Sequence, residues 1–363
     1  MNNAADIARK LTTNMILDDR IVVLDLDGFT IALRSNSALL LQRFNHYFAH
    51  VRGSGPTDTE VIALDGPADD LGLAFTDWAR EPGKTGRKDA YVDLPDGRVV
   101  QKIRTGMIFL QSDEHQIAAG PCLEYDNQVI NFINTQYMNW LQRKGALICH
   151  ASGLVIDGHG LGMAGFSGGG KSTLMLQILE HAGTGYLTND RLFLKSNSSG
   201  ILALGIPKLP RINPGTIINN STLRSMLSET RQEQLRALPK AQLWELEEKY
   251  DVDVEAVYGK GKIAPTAPLK AFLILNWQRD SAQPCTFSKV TLGERRELLS
   301  ALMKSPGPFY QFSDGTFLRD DMPLDKLPYL DALQDIDIWE ACGSVNFEAA
   351  TQHCQTIMRC HND

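Results

Sequence analysis

Residues 165–172 read Gly165-Phe166-Ser167-Gly168-Gly169-Gly170-Lys171-Ser172, and they constrain this chain more than any other stretch. They fit the pattern G-x-x-x-x-G-K-[ST] in full. Each residue type has a reason. Backbone N–H groups turn inward on an anion where no Cβ intrudes, which Gly165, Gly168, Gly169 and Gly170 allow. A helix beginning near Lys171, continuing through Ser172 and Thr173, adds its positive N-terminal end to the anion site. Lys171 is placed to neutralise β- and γ-phosphate charge. The Ser172 hydroxyl is a hard oxygen ligand suited to Mg²⁺. The bland alternative is a chance glycine-rich turn before a helix. The flanks argue against it, because an apolar strand precedes the loop and helix-forming residues come after it. Residues 165–173 are therefore expected to hold a nucleoside triphosphate.

The flanks also set the fold class. Residues 146–156 read as one nearly continuous apolar strand, and 157–160 (Asp-Gly-His-Gly) as a turn. Leu161 to Ala164 forms a second strand that runs into the glycine loop. A helix is predicted from Lys171 to about His181, ended by Gly183 and Gly185, with a strand leading to Asn189-Asp190. Strand, glycine loop, helix, strand is the order of an α/β nucleotide-binding core.

Upstream, Asp27-Gly28 predicts a hairpin turn within 21–33, and 37–49 an amphipathic helix. Residues 82–90 read as a polar loop, and Pro95-Asp96-Gly97 as a second hairpin turn within 90–110. A helical pattern over 127–144 ends at Gly145. Length of 363 residues suggests about two domains. The expected division is an N-terminal α+β domain over 1–120 and a P-loop domain over 121–363.

Composition excludes several classes. Hydrophobic residues at 43% and charged residues at 22% make a globular mix rather than a disordered one. A net charge of −7 without a basic stripe disfavours nucleic acid as partner. No apolar run approaches the ~20 residues that span a bilayer, and 1–13 lacks a signal-peptide core, so a cytoplasmic protein without membrane partners is expected. The six cysteines form no C-x-x-C pair and read as reduced thiols. His353-Cys354 and Cys360-His361 have the wrong spacing for a zinc finger and read as a helical tail.

Four segments, in order, resemble the HPr kinase/phosphorylase family, whose phosphate site is related to that of phosphoenolpyruvate carboxykinase. They are Cys149-His150-Ala151-Ser152 before the P-loop, the P-loop itself, Leu187-Thr188-Asn189-Asp190-Arg191, and a stretch from Trp244-Glu245-Leu246 through Asp253-Val254 to Val257-Tyr258-Gly259-Lys260-Gly261-Lys262-Ile263. The strand ending Leu275-Asn276-Trp277 is similar to the family's next segment. Gly120-Pro121-Cys122, Asn127 to Asn134, Asn189 to Leu192 and Pro207 to Gly215 also look like the related kinases of the B type. The resemblance covers roughly 145–300. It implies a mixed sheet flanked by helices around a P-loop core, ATP and Mg²⁺ as cofactors, and a bacterial kinase; family members assemble as hexamers, so a homo-oligomer is possible. Three features depart from the family. Asn189 replaces the first of an Asp pair, the segment between Asp190 and Glu245 is longer, and residues 1–120 do not match the family's regulatory domain. The last argues against HPr as acceptor.

Each further residue carries two readings. Asp190 holds Mg²⁺ or accepts a hydroxyl proton, or it caps a turn. His150 contacts the transferred group, or is a buried structural histidine. Glu245 binds Mg²⁺, or sits on a solvated acidic helix face. Arg211, with Lys208 in the Pro-studded segment 207–215, recognises phosphate or carboxylate, or is surface charge. Lys260 and Lys262 close over phosphates as a mobile loop, or form a plain turn. Arg295 or Arg296 are weaker candidates of the same kind. The expected catalytic set is Asp190, His150 and Lys171, and the metal set Ser172, Asp190 and Glu245. The leading expectation is a kinase that transfers the γ-phosphoryl group to a hydroxyl of a protein serine or small molecule. The alternative is a non-catalytic nucleotide-binding switch, with Asn189 as its motive. The reverse phosphorylase reaction is a third.

Overall fold

The computed structural model describes residues 2–359 except 69, 81–84, 167, 240, 241, 244, 245 and 247. The chain divides into two compact units, one of residues 1–144 with 305–323 and one of 145–304 with 324–363.

In the first unit, the strands are β1 (Val22–Asp25), β2 (Thr30–Ser35), β3 (Thr59–Asp65), β4 (Thr76–Asp77), β5 (Asp89–Leu94), β6 (Gly97–Lys102), β7 (Ile108–Ser112) and β8 (Gln116–Gly120). They form one mixed sheet in the order β1-β2-β3-β8-β7-β6-β5-β4. The β1–β2 hairpin turns at Asp27 and Gly28, both at positive φ, as the sequence predicts. Helix α2 (Ala38–Tyr47) starts where Ser37 caps it by accepting from the Leu40 N–H. Helix α1 (Ala4–Thr12) was not apparent from the polar N-terminus. Its apolar residues Ala4, Ile7, Ala8 and Leu11 are three or four apart, and they pack on Val99, Ile108, Leu110 and Ile117 of the sheet.

Helix α3 (Asp126–Arg143) and residues 305–323 belong to this unit, so the boundary falls at 144/145 rather than 120/121. The reason is a buried polar and aromatic network. Gln136 donates to Gln111 at 2.8 Å, Asn139 to the Phe309 carbonyl at 2.9 Å, and Arg143 to the Gln311 carbonyl at 2.9 Å. Phe109, Phe132 and Phe309 meet tilted or edge-on, with ring centroids between 5.0 and 5.5 Å apart. Local patterning cannot reveal that a segment almost two hundred residues downstream completes this core.

The second unit holds β9 (Leu147–Cys149), β10 (Ala151–Ile156), β11 (His159–Gly165), β12 (Thr184–Thr188), β13 (Leu192–Asn197), β14 (Gly200–Leu204), β17 (Thr266–Leu275), β18 (Thr286–Val290) and β19 (Asp337–Cys342) in one mixed sheet. A small ribbon pairs β15 (Arg211–Ile212) with β16 (Tyr250–Asp251). The long central strand β17 runs parallel to both β11 and β19. Its side chains alternate between two cores. Ala271, Leu273 and Leu275 meet helix α4 (Lys171–Leu179) and the helix Phe347–Arg359 on one face, while Phe272 and Ile274 meet Leu298, Leu299, Leu302 and Tyr329 on the other. A strand buried on both faces reads as an unbroken apolar run, which is why 271–276 stands out in the sequence.

The expected continuous strand 146–156 is interrupted at His150. Its N–H donates to the Leu302 carbonyl at 2.7 Å, and the chain changes partner there, from β13 on one side to β11 and β12 on the other. The C-terminal helix holds His353 and Cys354 and is described to Arg359; Cys360 and His361 lie outside the described residues. Within it His353 stacks on Phe287 at 4.3 Å, and among the described residues no cluster of metal-ligating side chains forms. Among those residues, too, no helix is long and apolar enough to cross a membrane.

Candidate active site

Strand β11 ends at Gly165, whose backbone lies against Leu275 of β17. A Cβ on Gly165 would come within 2.9 Å of the Leu275 Cβ, so only glycine lets the two strands stay paired into the loop. The loop then turns, with the Gly169 N–H donating to the Phe166 carbonyl at 3.0 Å. Gly170 sits at φ +81°, ψ 18° as the N-cap of α4 and offers no side chain to its first turn. The opening N–H groups of Lys171, Ser172 and Thr173 have no intrahelical acceptor by helix geometry, and they carry the positive end of the helix dipole. Two aromatic residues brace the loop from behind. Trp277 Nε1 donates to the Gly169 carbonyl at 2.8 Å, and Phe347 lies edge-on to Trp277 at 5.4 Å. The sequence flagged Trp277 only as a strand end and gave no signal for Phe347.

The glycines from 168 to 170 and Lys171, Ser172 and Thr173 line a pocket of about 460 Å³. The same pocket is lined by His150, Asp190 and Arg211. The break in the β9–β10 strand and the end of β12 thus bring residues forty positions apart together. His150 Nε2 lies 3.3 Å from Asp190 Oδ1, and Lys304 Nζ lies 3.9 Å from Oδ2. The Asn189 carbonyl is pinned by the Ser152 hydroxyl at 2.5 Å, which fixes where β12 delivers Asp190.

Electrostatics follow from this packing. Burial pushes the Asp190 carboxyl up. The hydrogen bond from His150 and the charges of Lys304, Arg191 and His150 outweigh it and hold the group well below the usual carboxylate range. Asp190 is therefore ionised at any working pH. Burial pulls the Lys171 ammonium below its ordinary value, Asp190 pushes it back up, and Lys304 pulls it down again. Lys171 Nζ donates to the Gly165 carbonyl at 3.0 Å, folded back over the loop it belongs to. Thr173 Oγ1 meets Thr216 Oγ1 at 3.2 Å.

Not every expected residue arrives. Lys262 Nζ donates to the carbonyls of Leu179 at 3.1 Å and His181 at 3.0 Å and to Thr184 Oγ1 at 3.0 Å. It caps the C-terminus of α4, the negative end of the dipole and the end opposite the P-loop. Lys260 is exposed and does not line the pocket. The expectation that these two lysines close over phosphates is corrected accordingly: helix capping outcompeted it for Lys262. Arg295 is held bidentately by the buried Glu340 at 2.6 and 2.8 Å, so it serves the sheet. Asp253 is the N-cap of the helix Val254–Tyr258. Ser167 and Glu245 lie outside the described residues.

Among the pocket residues given no role from the sequence are Arg191, Lys249 and Asn213. Arg191 adjoins Asp190, and only the fold shows that it lines the same pocket. Lys304 had no sequence signal at all, because its place beside Asp190 depends on the chain passing His150 at Leu302.

Among the described residues, the Asn189 and Asn213 Oδ1 atoms and the Arg191 Nη1 are buried without hydrogen-bond partners. Orphaned polar groups are costly and cluster where a ligand completes them. An uncapped helix start, an ammonium, a hydroxyl oxygen and a carboxylate lining one pocket are the kinds of group that fit a triphosphate with Mg²⁺. Ser172 and Asp190 would hold the ion, and a set of few protein oxygens suits a cation that keeps water and phosphate ligands.

No family model matches the chain, and no curated protein matches it. Among solved structures it is similar to the Hpr(Ser) kinase/phosphatase from Coxiella burnetii, at 11% identity over 59% of this chain and 89% of that one, with a TM-score of 0.29. A likeness at that level carries no argument about chemistry, which has to come from the pocket's own residues.

Proposed function

We propose that this chain is an ATP-dependent, Mg²⁺-assisted phosphotransferase that delivers the γ-phosphoryl group to a hydroxyl. One observation carries the reading: the P-loop residues Gly168 to Thr173 and the His150–Asp190 pair line the same pocket. Bound MgATP supplies the transferable phosphoryl group. The protein supplies position and charge, which is most of what phosphoryl transfer asks of an enzyme. The N–H groups opening α4 and the Lys171 ammonium receive the phosphate oxygens. Ser172 and Asp190 orient the cation. Asp190, held ionised, also aligns the acceptor hydroxyl and takes its proton. A carboxylate with a depressed pKa is a weak base, so alignment is its larger contribution. His150 fixes the Asp190 rotamer through Oδ1 and leaves Oδ2 toward Lys304.

The test pairs two measurements. Calorimetry with Mg²⁺ and ATP or GTP reads binding, and radiolabel from the γ-position reads transfer to protein and small-molecule fractions of a cell extract. Lys171→Ala is expected to weaken nucleotide binding at least tenfold. Asp190→Asn is expected to keep most affinity and lose transfer by about a hundredfold or more, the scale of one lost catalytic carboxylate. Absence of any binding heat from folded protein would refute the proposal. Binding with hydrolysis and no labelled acceptor would favour the nucleotide switch instead.

A further inference from the structure

The pocket holds more positive charge than a nucleotide needs. Its described lining includes Lys171, Arg191, Lys208, Arg211 and Lys249 against one carboxylate, Asp190. Magnesium-bound ATP brings a net charge of about −2, and the P-loop amides and Lys171 already face it. The remaining cations come from other segments of the chain. Arg191 adjoins Asp190, and Lys208 and Arg211 come from the segment after β14.

That segment is rigid. Pro207 and Pro210 restrict it, the Tyr186 hydroxyl donates to the Lys208 carbonyl at 2.6 Å, the Val252 N–H to the Pro210 carbonyl at 2.8 Å, and Arg211 is paired in the β15–β16 ribbon. Lys208 feels the repulsion of Arg191 and Arg211, offset in part by Asp190 and Asp251. The Arg191 Nη1 is buried without a partner among the described residues. Arg211 Nε reaches Asp251 Oδ1 at 3.3 Å but out of hydrogen-bond alignment. Cations that share one pocket wall, with a guanidinium nitrogen unspent on each arginine and the backbone fixed, are arranged to receive an oxyanion; guanidinium groups suit phosphate or carboxylate in particular. The Asp190 charge acts on both Lys171 and Lys208, so it is near the P-loop lysine and this second group alike.

We propose that Arg191, Lys208 and Arg211 form an oxyanion subsite for the acceptor, so that the acceptor is a hydroxyl compound carrying its own phosphate or carboxylate. This rests on the phosphotransferase reading and deepens it. The acceptor's anionic group docks on the three cations and its hydroxyl meets Asp190. The acceptor oxygen forms the new bond to phosphorus, the bond to the β-phosphate oxygen breaks, the proton passes to Asp190 and then to solvent, and the nucleoside diphosphate leaves.

The test titrates inorganic phosphate, and separately acetate, into protein saturated with Mg²⁺ and a non-hydrolysable ATP analogue. At least one oxyanion is expected to bind the loaded protein. Phosphate alone identifies a phosphorylated acceptor, acetate alone a carboxylate. Arg191→Ala and Lys208→Met, the latter keeping the stem volume, are each expected to weaken that binding tenfold or more while nucleotide affinity stays within threefold. The subsite is refuted if neither anion binds the loaded protein, or if both variants lose nucleotide and anion affinity together. Should the wild type bind no nucleotide, the phosphotransferase reading fails. Anion binding to nucleotide-free protein that needs Lys208 but survives Lys171→Ala then still reads the subsite on its own.

Discussion

Two cationic centres in this molecule, one fully buried and one half-buried, are built on opposite plans. In the first unit Arg98 is fully buried and every part of its guanidinium is occupied. Asp93 accepts at 2.5 and 3.2 Å, the carbonyls of Pro308 and Leu318 at 3.0 and 2.8 Å, and the rings of Tyr91, Phe317 and Trp78 surround it at 4.5 to 5.6 Å. In the second unit Arg191, Lys208 and Arg211 line one pocket, and the Arg191 Nη1 and Arg211 Nε are buried without hydrogen-bond partners among the described residues. A satisfied buried charge holds a fold together, whereas a crowded, unsatisfied one costs stability and is retained where a ligand repays it. That contrast separates a structural arginine from the residues proposed to bind an oxyanion, which would look alike in sequence.

The largest expected effect falls on the satisfied centre. Arg98→Ala would orphan two carbonyls and empty an aromatic cage, and should lower unfolding free energy by about 3–5 kcal/mol, read by urea denaturation. A loss below about 1 kcal/mol would erase the contrast.

The next concerns the loop that sets up the second centre. Gly170→Ala places a Cβ in left-handed backbone, 2.6 Å from the Phe347 ring. It should cost about 1–3 kcal/mol in stability and at least tenfold in nucleotide affinity. Adding Phe347→Leu should recover part of the affinity if ring contact is the cause. Calorimetry on the single and double variants decides it.

Lys208→Met should do the opposite of Arg98→Ala and stabilise the protein, by about 1–3 kcal/mol at pH 7. Burial, with the charges of Arg191 and Arg211, lowers the Lys208 ammonium to about 8 against Asp190 and Asp251, which raise it. The folded state therefore penalises the charged form. That penalty is fully present below pH 8 and is relieved as pH rises toward the ordinary lysine value, so the gain should shrink above pH 8. Thermal melts at pH 7 and 9.5 test this; equal melting temperatures for variant and wild type at pH 7 would contradict it.

The smallest effect is on the acid side. Asp190 is held below its ordinary range after His150, Lys304 and Arg191 overcome the opposing burial. Its contribution to stability is present above about pH 4, the unfolded value, and is lost as pH falls through the lower folded one. Asp190→Asn should accordingly flatten the acid limb of a stability–pH curve and leave its neutral plateau less stable than wild type.

Some of the site was legible and some was not. The P-loop was legible because its chemistry is backbone chemistry: glycines and a helix start lie next to one another along the chain. Asp190 and His150 were legible as positions after and before that unit. The fate of Lys262 was not, since the cationic loop it suggested and the helix C-terminus it actually caps differ only in where the chain folds. Arg191 and Lys304 illustrate the same limit, and Ala4, Ile7, Ala8 and Leu11 show that a four-residue apolar stripe is easy to overlook in a polar terminus.

By itself the sequence determined the order of strand, glycine loop and helix, and an alternation of apolar residues that calls for sheet cores. These depend on contacts within a few residues, where spacing and side-chain type suffice. Only the tertiary structure decided that α3 and residues 305–323 complete the first core, that His150 interrupts its strand, and that one set of cations would be satisfied and another left open. Whether a buried charge has partners depends on segments tens to hundreds of residues apart, and no local pattern encodes that distance.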